Sequence, residues 1–289
     1  LEEGLLKILP FQLTGAQSRV WDEIGEDLSH SYPMNRLLQG DVGSGKTVIA
    51  ALAAARVMDH DYQAAIMAPT EILAEQHYLK MKEWFEPLGV QIAWLSGSLK
   101  AKEKKLAQEL IESGVAQLVI GTHALIQENV HFAKLGLAVI DEQHRFGVRQ
   151  RLEIQQRVGS ELFYCHQLMM SATPIPRTLA MTYYADLDVS VIDELPPGRK
   201  PIATKVVKAS RREEVIQGLQ SWLSKGLQAY WVCPLIEESE ALQLQTAVES
   251  FEELTKALPE FKVGLVHGRL KADEKAAVMA AFKANEIQL

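Results

Sequence analysis

The chain of 289 residues is 47% hydrophobic, so it is long and apolar enough to bury a core, and we expect two domains. It has no run of about eighteen apolar residues and no basic-then-apolar start, which argues against a membrane span or signal peptide and predicts a soluble protein with no membrane partner. The net charge of −7 argues against a protein that coats nucleic acid by bulk electrostatics, although a local basic groove stays open.

The first part of the chain alternates short apolar, β-branched runs with helical patterns. The predicted strands are Arg36–Gly40, Ala64–Pro69, Ile92–Ser96, Gln117–Thr122, Leu137–Asp141 and Gln167–Ser171. The predicted helices between them are Lys46–Met58, Ile72–Phe85 and Lys100–Ser113. Because strands that alternate with helices form a mostly parallel sheet covered on both faces, the predicted fold class is α/β.

A proline-rich stretch at residues 196–201 interrupts this alternation and predicts a linker. The pattern then resumes with predicted strands at Ile202–Lys208, Ala229–Cys233 and Lys262–His267, and with predicted helices at Arg211–Leu223, Ala241–Ala257 and Ala272–Ala284. Residues 287–289 resemble the opening of a further strand. We therefore expect a first domain at 1–195 and a second at 202–289.

The strongest motif is a G-x-x-x-x-G-K-[ST] pattern at residues 40–47, between a predicted strand and a predicted helix. Its glycines let backbone N–H groups close around phosphate oxygens, and the helix N-terminus adds positive potential. The candidate nucleotide-binding residues are Gly40, Gly43, Ser44, Gly45, Lys46 and Thr47. Lys46 would reach the β- and γ-phosphates and Thr47 would ligate Mg²⁺, which predicts ATP and Mg²⁺ as cofactors. A turn without a ligand is the alternative, but this combination arises by chance in about one chain of this length in a hundred.

The predicted strand Leu137–Asp141 leads into an acidic pair, Asp141 and Glu142. In a P-loop enzyme the first acid at such a strand end holds Mg²⁺, and the second can polarise the attacking water. An isolated Asp-Glu pair is more often a solvated turn. Downstream of a P-loop, with room for intervening strands, the catalytic interpretation is favoured. Lys46, Asp141 and Glu142 are therefore the candidate catalytic residues, and Thr47 and Asp141 the candidate metal ligands.

The two cysteines, Cys165 and Cys233, are far apart in the sequence and have no CxxC or histidine partner spacing. This arrangement predicts neither a disulfide framework nor a zinc site or other metal cluster. It fits a reducing cytoplasm.

Three segments resemble the signature motifs of superfamily 2 helicases and translocases: Gly40–Thr47 resembles motif I, Asp141–His144 motif II, and Ser171–Thr173 motif III. The resemblance implies a P-loop NTPase of the RecA-like fold, followed by part of a second such domain. The longer strings at 141–147 and 172–178 are similar to those of bacterial helicases that act on branched DNA. Transcription-repair coupling factor, a double-stranded DNA translocase, is the alternative, and it usually has Glu where this chain has Gln143.

The resemblance implies further roles for individual residues. Residues that couple nucleotide state to DNA would be Gln143, His144, Ser171 and Thr173. A segment near the N-terminus resembles the adenine-reading Q motif, in which Gln17 would bond to the base edge and Phe11 would stack on its face. In the alternative interpretation Phe11 packs in the core and Gln17 lies on a helix surface.

Segments after three predicted strands resemble motifs Ia and Ib, which contact the DNA backbone. The candidate DNA-binding residues are Thr70, Gly97, Thr122 and His123. Each alone is an ordinary strand-to-helix turn, but all follow parallel strands, where open α/β sheets bind ligands. We interpret three other histidines as structural, namely His77, His131 and His166.

The resemblance implies an ATP-dependent DNA helicase or translocase that remodels branched double-stranded DNA, such as stalled forks and Holliday junctions, in recombination and repair. The implied location is the bacterial cytoplasm, in association with the nucleoid. A single-stranded-DNA-binding protein is a partner that the sequence leaves open. Two alternatives come from other classes: a P-loop switch that binds nucleotide without doing work, and a motor that acts on protein.

Two further motifs of the family, V and VI, and its wedge domain have no counterpart in this sequence. We therefore expect a piece of a longer protein, whose second domain is less stable than the first. An arginine that stabilises the transition state is worth about 10³–10⁵ in turnover in P-loop enzymes, and the family supplies it from motif VI. We therefore expect this chain to bind nucleotide while being nearly inactive as an ATPase.

Overall fold

The computed structural model describes residues 1–127, 129–142, 165–173, 187–194, 198, 202–233 and 240–289, with the backbone alone for 240–245 and 272. The chain divides into two compact units, Leu1–Lys200 and Pro201–Leu289. Within the described ranges no helix is both long and apolar enough to cross a membrane.

A seven-stranded sheet forms the centre of the first unit. Its strands are β1 (Asn35–Gly40), β2 (Gln63–Met67), β3 (Ile92–Leu95), β4 (Leu118–Gly121), β5 (Leu135–Asp141), β6 (His166–Ser171) and β7 (Asp188–Ile192). Every neighbouring pair is parallel, in the order β3-β4-β2-β5-β6-β1-β7. The α/β fold class with a parallel sheet is confirmed.

The described helices of the first unit are α1 (Glu2–Ile8), α2 (Gly15–Asp27), α3 (Lys46–Asp59), α4 (Glu71–Phe85) and α5 (Ala101–Glu112). Short 3-10 turns follow at Glu86–Leu88 and His123–Ile126. In the second unit the described helices are α6 (Arg212–Leu223), α7 (Glu240–Ala257) and α8 (Ala272–Lys283), with a 3-10 turn at Ala209–Arg211.

The sheet of the first unit separates two hydrophobic cores, because successive side chains of a strand point to opposite faces. Leu38 of β1 packs into the core that contains α1, α2 and α3, whereas its neighbour Leu37 packs into the core that contains α5. Helix α3 is buried from Val48 to Ala55, and its run of alanines allows close approach to the sheet. The first turn of α3 is thereby held at the end of β1.

Helices α1 and α2 and strand β7 were not predicted from the sequence. A signal for α2 was present, because Thr14 and Gln17 form a capping box at its start: the Thr14 hydroxyl accepts from Gln17 N–H, and the Gln17 side chain accepts from Thr14 N–H. Strand β7 mixes polar and apolar residues and lies at the edge of the sheet beside β1. Such a short edge strand has a weak periodic signal.

In the second unit, three predicted strands are wrong: Ile202–Lys208, Ala229–Cys233 and Lys262–His267 have no strand structure. Backbone bonds join parts of these segments to the chain end, from Ala229 N to Gln288 O and from Gly264 N to Leu289 O. A strand needs a continuous ladder of partners, and the side chain of Val206 is fully exposed. The expected strand opening at 287–289 likewise has these bonds without becoming a strand.

Candidate functional site

The glycine-rich segment at residues 40–47 connects the end of β1 to the first turn of α3. Gly43 and Gly45 have φ values of 78° and 98°, in the left-handed region that favours glycine. Gly45 is also the N-cap of α3, so the backbone N–H groups of the first helical turn face the loop. This geometry forms a concave, positively polarised anion site at the end of β1.

Lys46 extends back across this loop. Its Nζ donates to Gly40 O at 2.6 Å and to Asp41 O at 3.0 Å. Burial lowers the pKa of the Lys46 ammonium from its usual value, and the carboxylates of Asp141, Glu142 and Asp41 oppose that shift. The charge of Lys46 therefore lies within the electrostatic reach of the acidic pair.

Gln17 is buried against the same loop, with 3% of its surface exposed. Its Nε2 donates to Ser44 O at 2.7 Å, and its Oε1 accepts from Thr14 N at 2.9 Å. A Cβ at position 45 would collide with the Gln17 amide nitrogen. The structure therefore does not place Gln17 on a helix surface, and its amide first supports the P-loop. Phe11, 46% exposed, is not a core residue.

The acidic pair lies at the end of β5. Asp141 is the last residue of that strand and is 8% exposed, and its Oδ2 lies 2.7 Å from His77 Nε2 on α4. Glu142 has a left-handed φ of 47°, which is uncommon for a residue other than glycine and adds local strain. Its N–H donates to Met170 O of β6 at 2.9 Å, which holds the turn that follows β5.

The end of β6 connects to this acidic pair. The Ala172 N–H donates to Glu142 Oε1 at 3.4 Å. Ser171 is 2% exposed, and its Oγ lies 2.9 Å from Thr173 Oγ1. The same Ser171 Oγ accepts a hydrogen bond from Thr173 N at 3.2 Å. The predicted coupling residues Gln143 and His144 lie outside the described residues.

Because β5, β6 and β1 are neighbours in the sheet and all are parallel, their carboxyl ends lie at one edge. The structure brings together there the P-loop, the acidic pair and Ser171–Thr173. These segments are far apart in sequence.

The residues at this edge fit a nucleotide with Mg²⁺. Ser44 Oγ is buried with no hydrogen-bond partner among the described residues, and a phosphate oxygen would satisfy it. Asp141 offers a carboxylate, and the half-buried Thr47 a hydroxyl, which are the hard oxygen donors that Mg²⁺ prefers. Within the described ranges no group of three His, Cys, Asp or Glu side chains could hold a metal alone. Mg²⁺ usually binds one or two carboxylates together with phosphates and water, so this donor set suits it.

The candidate DNA-binding residues follow β2, β3 and β4, which form the other half of the same sheet edge. Thr70, Gly97 and His123 are exposed there. The Glu71 carboxylate accepts from Ser98 N at 3.1 Å, and hydrogen bonds from Ser98 hold the pKa of Glu71 below its usual range. This contact joins two of the predicted DNA segments, and the sequence analysis missed it.

Thr122 differs from the expectation. It is 2% exposed, and its N–H donates to Leu95 O of β3. Its hydroxyl is buried and has no hydrogen-bond partner among the described residues. The backbone at the end of β4 turns against β3 and directs this side chain inward. The expected DNA contact of Thr122 therefore stays a prediction, at a position where its side chain is buried.

The buried contact of His77 with Asp141 was not predicted from the sequence. His77 was interpreted as an ordinary structural histidine, because the two residues are 64 positions apart and no local pattern links them. Helix α4 follows β2, and β2 pairs with β5, so the sheet order brings the two side chains together.

Comparison with known proteins agrees with this geometry. The family model described as DEAD/DEAH box helicase matches residues 14–182. The ATP-dependent DNA helicase RecG of Escherichia coli (strain K12) is 56% identical over the whole chain, and that of Haemophilus influenzae is 55% identical. The chain spans 42% of the length of each, so it covers less than half of these relatives.

Solved structures show the same relationship. A structure of RecG bound to a three-way DNA junction matches 99% of this chain with a TM-score of 0.77 and 44% identity, and the match covers 37% of that chain. Dbp5 of S. cerevisiae, bound to RNA and ADP BeF3, matches 99% of this chain and 71% of its own with a TM-score of 0.68. At 18% identity the second likeness shows the fold alone.

The chain is thus similar to RecG along its entire length, and the helicase model matches residues 14–182 of its 289. It belongs to the DEAD/DEAH box helicase family.

Proposed function

We propose that this chain is the nucleotide-binding part of an ATP-dependent DNA helicase or translocase that remodels branched double-stranded DNA in recombination and repair. Stalled forks and Holliday junctions are the proposed substrates. The observation that carries this proposal is that the P-loop at the end of β1 and the acidic pair at the end of β5 lie at one edge of a parallel sheet. Because the chain covers 42% of its relatives, their activity as whole proteins is a proposal here.

In the proposed chemistry, different residues bind the phosphates, hold the metal ion and orient the attacking water. Lys46 would exchange its carbonyl partners Gly40 O and Asp41 O for β- and γ-phosphate oxygens, and the N–H groups of the loop would hold the phosphates. Thr47 and Asp141 would hold Mg²⁺, which neutralises phosphate charge when bound. Glu142 would orient the attacking water.

The adenine would lie near the start of α2. Phe11 is exposed and supplies an aromatic face for stacking. Gln17 keeps the loop closed through Ser44 O while its amide retains a second N–H and a second lone pair for the base.

Nucleotide state would pass to DNA through the end of β6. Glu142 contacts Ala172 N, and Ser171 and Thr173 bond to each other, so a shift of Glu142 on hydrolysis reaches this turn directly. Gln143 and His144 are proposed to act in the same step. Thr70, Gly97 and His123, on the neighbouring half of the sheet edge, are proposed to contact the DNA backbone.

We also propose that residues 1–195 form one RecA-like domain, that 196–201 are a linker, and that 202–289 belong to a second RecA-like domain. The division of the chain into compact units after Lys200 supports this proposal. The proposed location of the whole protein is the bacterial cytoplasm, at the nucleoid, because DNA is its proposed substrate. A single-stranded-DNA-binding protein is a candidate partner.

The nucleotide assignment is tested by calorimetric titration of the chain and of Lys46→Ala with Mg-ADP and Mg-ATP. We expect the wild-type chain to bind both and Lys46→Ala to bind at least about tenfold more weakly, since a charge-assisted bond of about 1.5–3 kcal/mol is lost. Lys80→Ala, an exposed lysine on α4 that pairs with Glu83, is the control. Equal affinity of Lys46→Ala and wild type would contradict the phosphate assignment.

The DNA assignment is tested by a gel-shift series with branched and plain duplex DNA in rising salt. With a net charge of −7 we expect weak, salt-sensitive binding that does not distinguish the two. His123→Ala should weaken binding about fivefold, as for one lost hydrogen bond of about 1 kcal/mol.

His60→Ala is the matched control, because His60 is exposed at the far end of α3 from the P-loop. A chain that binds nucleotide but shows no DNA affinity at low salt would favour the nucleotide-switch alternative. Tight, junction-selective binding would show that this chain itself contains the specificity element.

A further inference from the structure

His77 and Asp141 form a buried pair between α4 and the end of β5. The distance from His77 Nε2 to Asp141 Oδ2 is 2.7 Å, and each residue is 8% exposed. An ionised carboxylate only accepts hydrogen bonds, so the Nε2 of His77 must carry the proton and donate. In this pair an ionised Asp141 therefore accepts the hydrogen bond and His77 Nε2 donates it.

The imidazole is held in place by the packing of its helix. Ala74, Met81 and Phe85 of α4 are fully buried on either side of His77 along the chain. An α-helix whose buried face is packed in this way cannot easily rotate. Asp141 is equally constrained, because β5 is hydrogen-bonded to β2 on one side and to β6 on the other.

The same helix begins at the DNA-facing half of the sheet edge. Thr70 is the N-cap of α4, and its hydroxyl accepts from Leu73 N at 3.4 Å. His77 lies seven residues farther on, about two helical turns. Two turns of helix therefore connect the exposed Thr70 to His77, and the His77 hydrogen bond extends this connection to the buried Asp141.

A purely structural histidine is the simpler explanation, and it accounts for burial and for one satisfied hydrogen bond. It does not account for the choice of partner. The carboxylate that His77 contacts is the one proposed to hold Mg²⁺, and the bond occupies one of its two oxygens and fixes the direction of the other. Partners that orient a metal-binding group in this way typically change metal affinity by about 10–100-fold when they are lost.

We propose that His77 is a positioning residue of the Mg²⁺ site, which holds the Asp141 carboxylate in its metal-binding orientation and joins it to the helix that starts at the DNA-facing Thr70. The inference rests on the proposed function, since it takes Asp141 as a ligand of the nucleotide-bound metal. His77 itself contacts neither metal nor nucleotide in this proposal.

The test measures the affinity of the chain for a fluorescent ADP analogue, first in EDTA and then over a titration with Mg²⁺. His77→Leu should leave the affinity in EDTA unchanged and raise the Mg²⁺ concentration needed for half of the Mg²⁺-dependent gain by about tenfold or more. His77→Gln should restore most of the wild-type behaviour, because the glutamine amide can donate from a similar position.

His166→Leu is the matched control. His166 opens β6 and pairs in register with Leu137, so it lies at the opposite end of the strand pair that carries Asp141. It should leave the Mg²⁺ titration unchanged even if the stability falls. A binding signal from Mn²⁺ in electron paramagnetic resonance gives a second readout that does not depend on the fluorophore.

The inference is overturned if His77→Leu, folded by circular dichroism, keeps the wild-type Mg²⁺ dependence, or if His77→Leu and His77→Gln are impaired equally. If His77→Leu does not fold, His77→Ala takes its place, and a wild-type Mg²⁺ dependence of folded His77→Ala likewise overturns the inference. Lys46→Ala distinguishes failure of the His77 inference from failure of the proposed function. If Lys46→Ala binds nucleotide like the wild-type chain, the proposed function itself is overturned.

Discussion

Around the end of β1, two side chains form hydrogen bonds to the backbone of the glycine-rich loop. Gln17 and Lys46 together donate to three carbonyl oxygens of the loop, those of Ser44, Gly40 and Asp41. In the proposed function Lys46 leaves its two carbonyl partners for phosphate oxygens, so the Gln17 bond is the one that would keep the loop in its binding conformation and reduce the entropy lost on binding. A Cβ at position 45 would collide with the Gln17 amide nitrogen, so packing as well as the positive φ favours glycine there.

His166 supplies a pH-dependent contribution to stability at the residue scale. Its Nδ1 accepts from Met34 N at 3.0 Å, which requires an unprotonated Nδ1. Burial lowers the pKa of His166, and the charge of Asp27 partly opposes that shift. The unfolded chain, with a histidine pKa of about 6.5, therefore binds the proton more readily than the folded chain.

We expect the free energy of unfolding to fall with pH below about 6.5, because protonation then favours the unfolded state. His166→Asn, which keeps an acceptor and does not titrate, should lose less stability between pH 7.5 and pH 5.5, by up to about 1 kcal/mol. Urea unfolding of both proteins across this range measures the difference. Parallel curves for the two would show that His166 does not contribute.

The elements differ in how well their sequences indicate them. Helix α3 and strands β2 and β5 are strongly apolar and flanked by clear turn residues, and their predicted bounds agree with the structure within two residues. Strand β7 was not predicted but is present, whereas the predicted strand Ile202–Lys208 is absent from the structure. The first is short and half exposed but has β1 as a partner, whereas the second is rich in β-branched residues but has no partner strand among the described residues. Pairing, which no local pattern contains, decides between strand and coil.

Among the residues that the structure describes, the two units differ in the size of their cores. The buried residues of the first unit form two large clusters, whereas the described side chains of the second contribute Leu223, Leu254, Leu258 and Leu289. Apolar burial is the main stabilising contribution to a folded unit. In the second unit, Trp222 is 63% and Val232 81% exposed.

We therefore expect biphasic urea unfolding, in which the second unit unfolds first and the first unit later. Trp222 and Trp231 report on the second unit, so a variant with both changed to Phe should lose the early fluorescence transition and keep the late one. The wild-type chain is the control. A single transition that is the same in both proteins would contradict the proposed division into separate domains at 196–201.

Some properties of this protein were determined by the sequence alone. The spacing of Gly40, Gly45 and Lys46 identifies a phosphate loop, because the backbone conformations and the charge it requires are local. The alternation of strands and helices predicts a parallel sheet for the same reason. The acidic pair that follows a buried strand downstream of this loop predicts a metal-binding edge, which stays a proposal.

The tertiary structure decided which of these local features meet. The order β5-β6-β1 places Asp141 beside the phosphate loop, and the pairing of β2 with β5 brings His77 to Asp141. It also turned Thr122 inward and directed Gln17 to Ser44. Strand order and side-chain direction depend on how helices pack across the whole sheet, and contacts between residues distant in sequence leave no periodic signal in the chain.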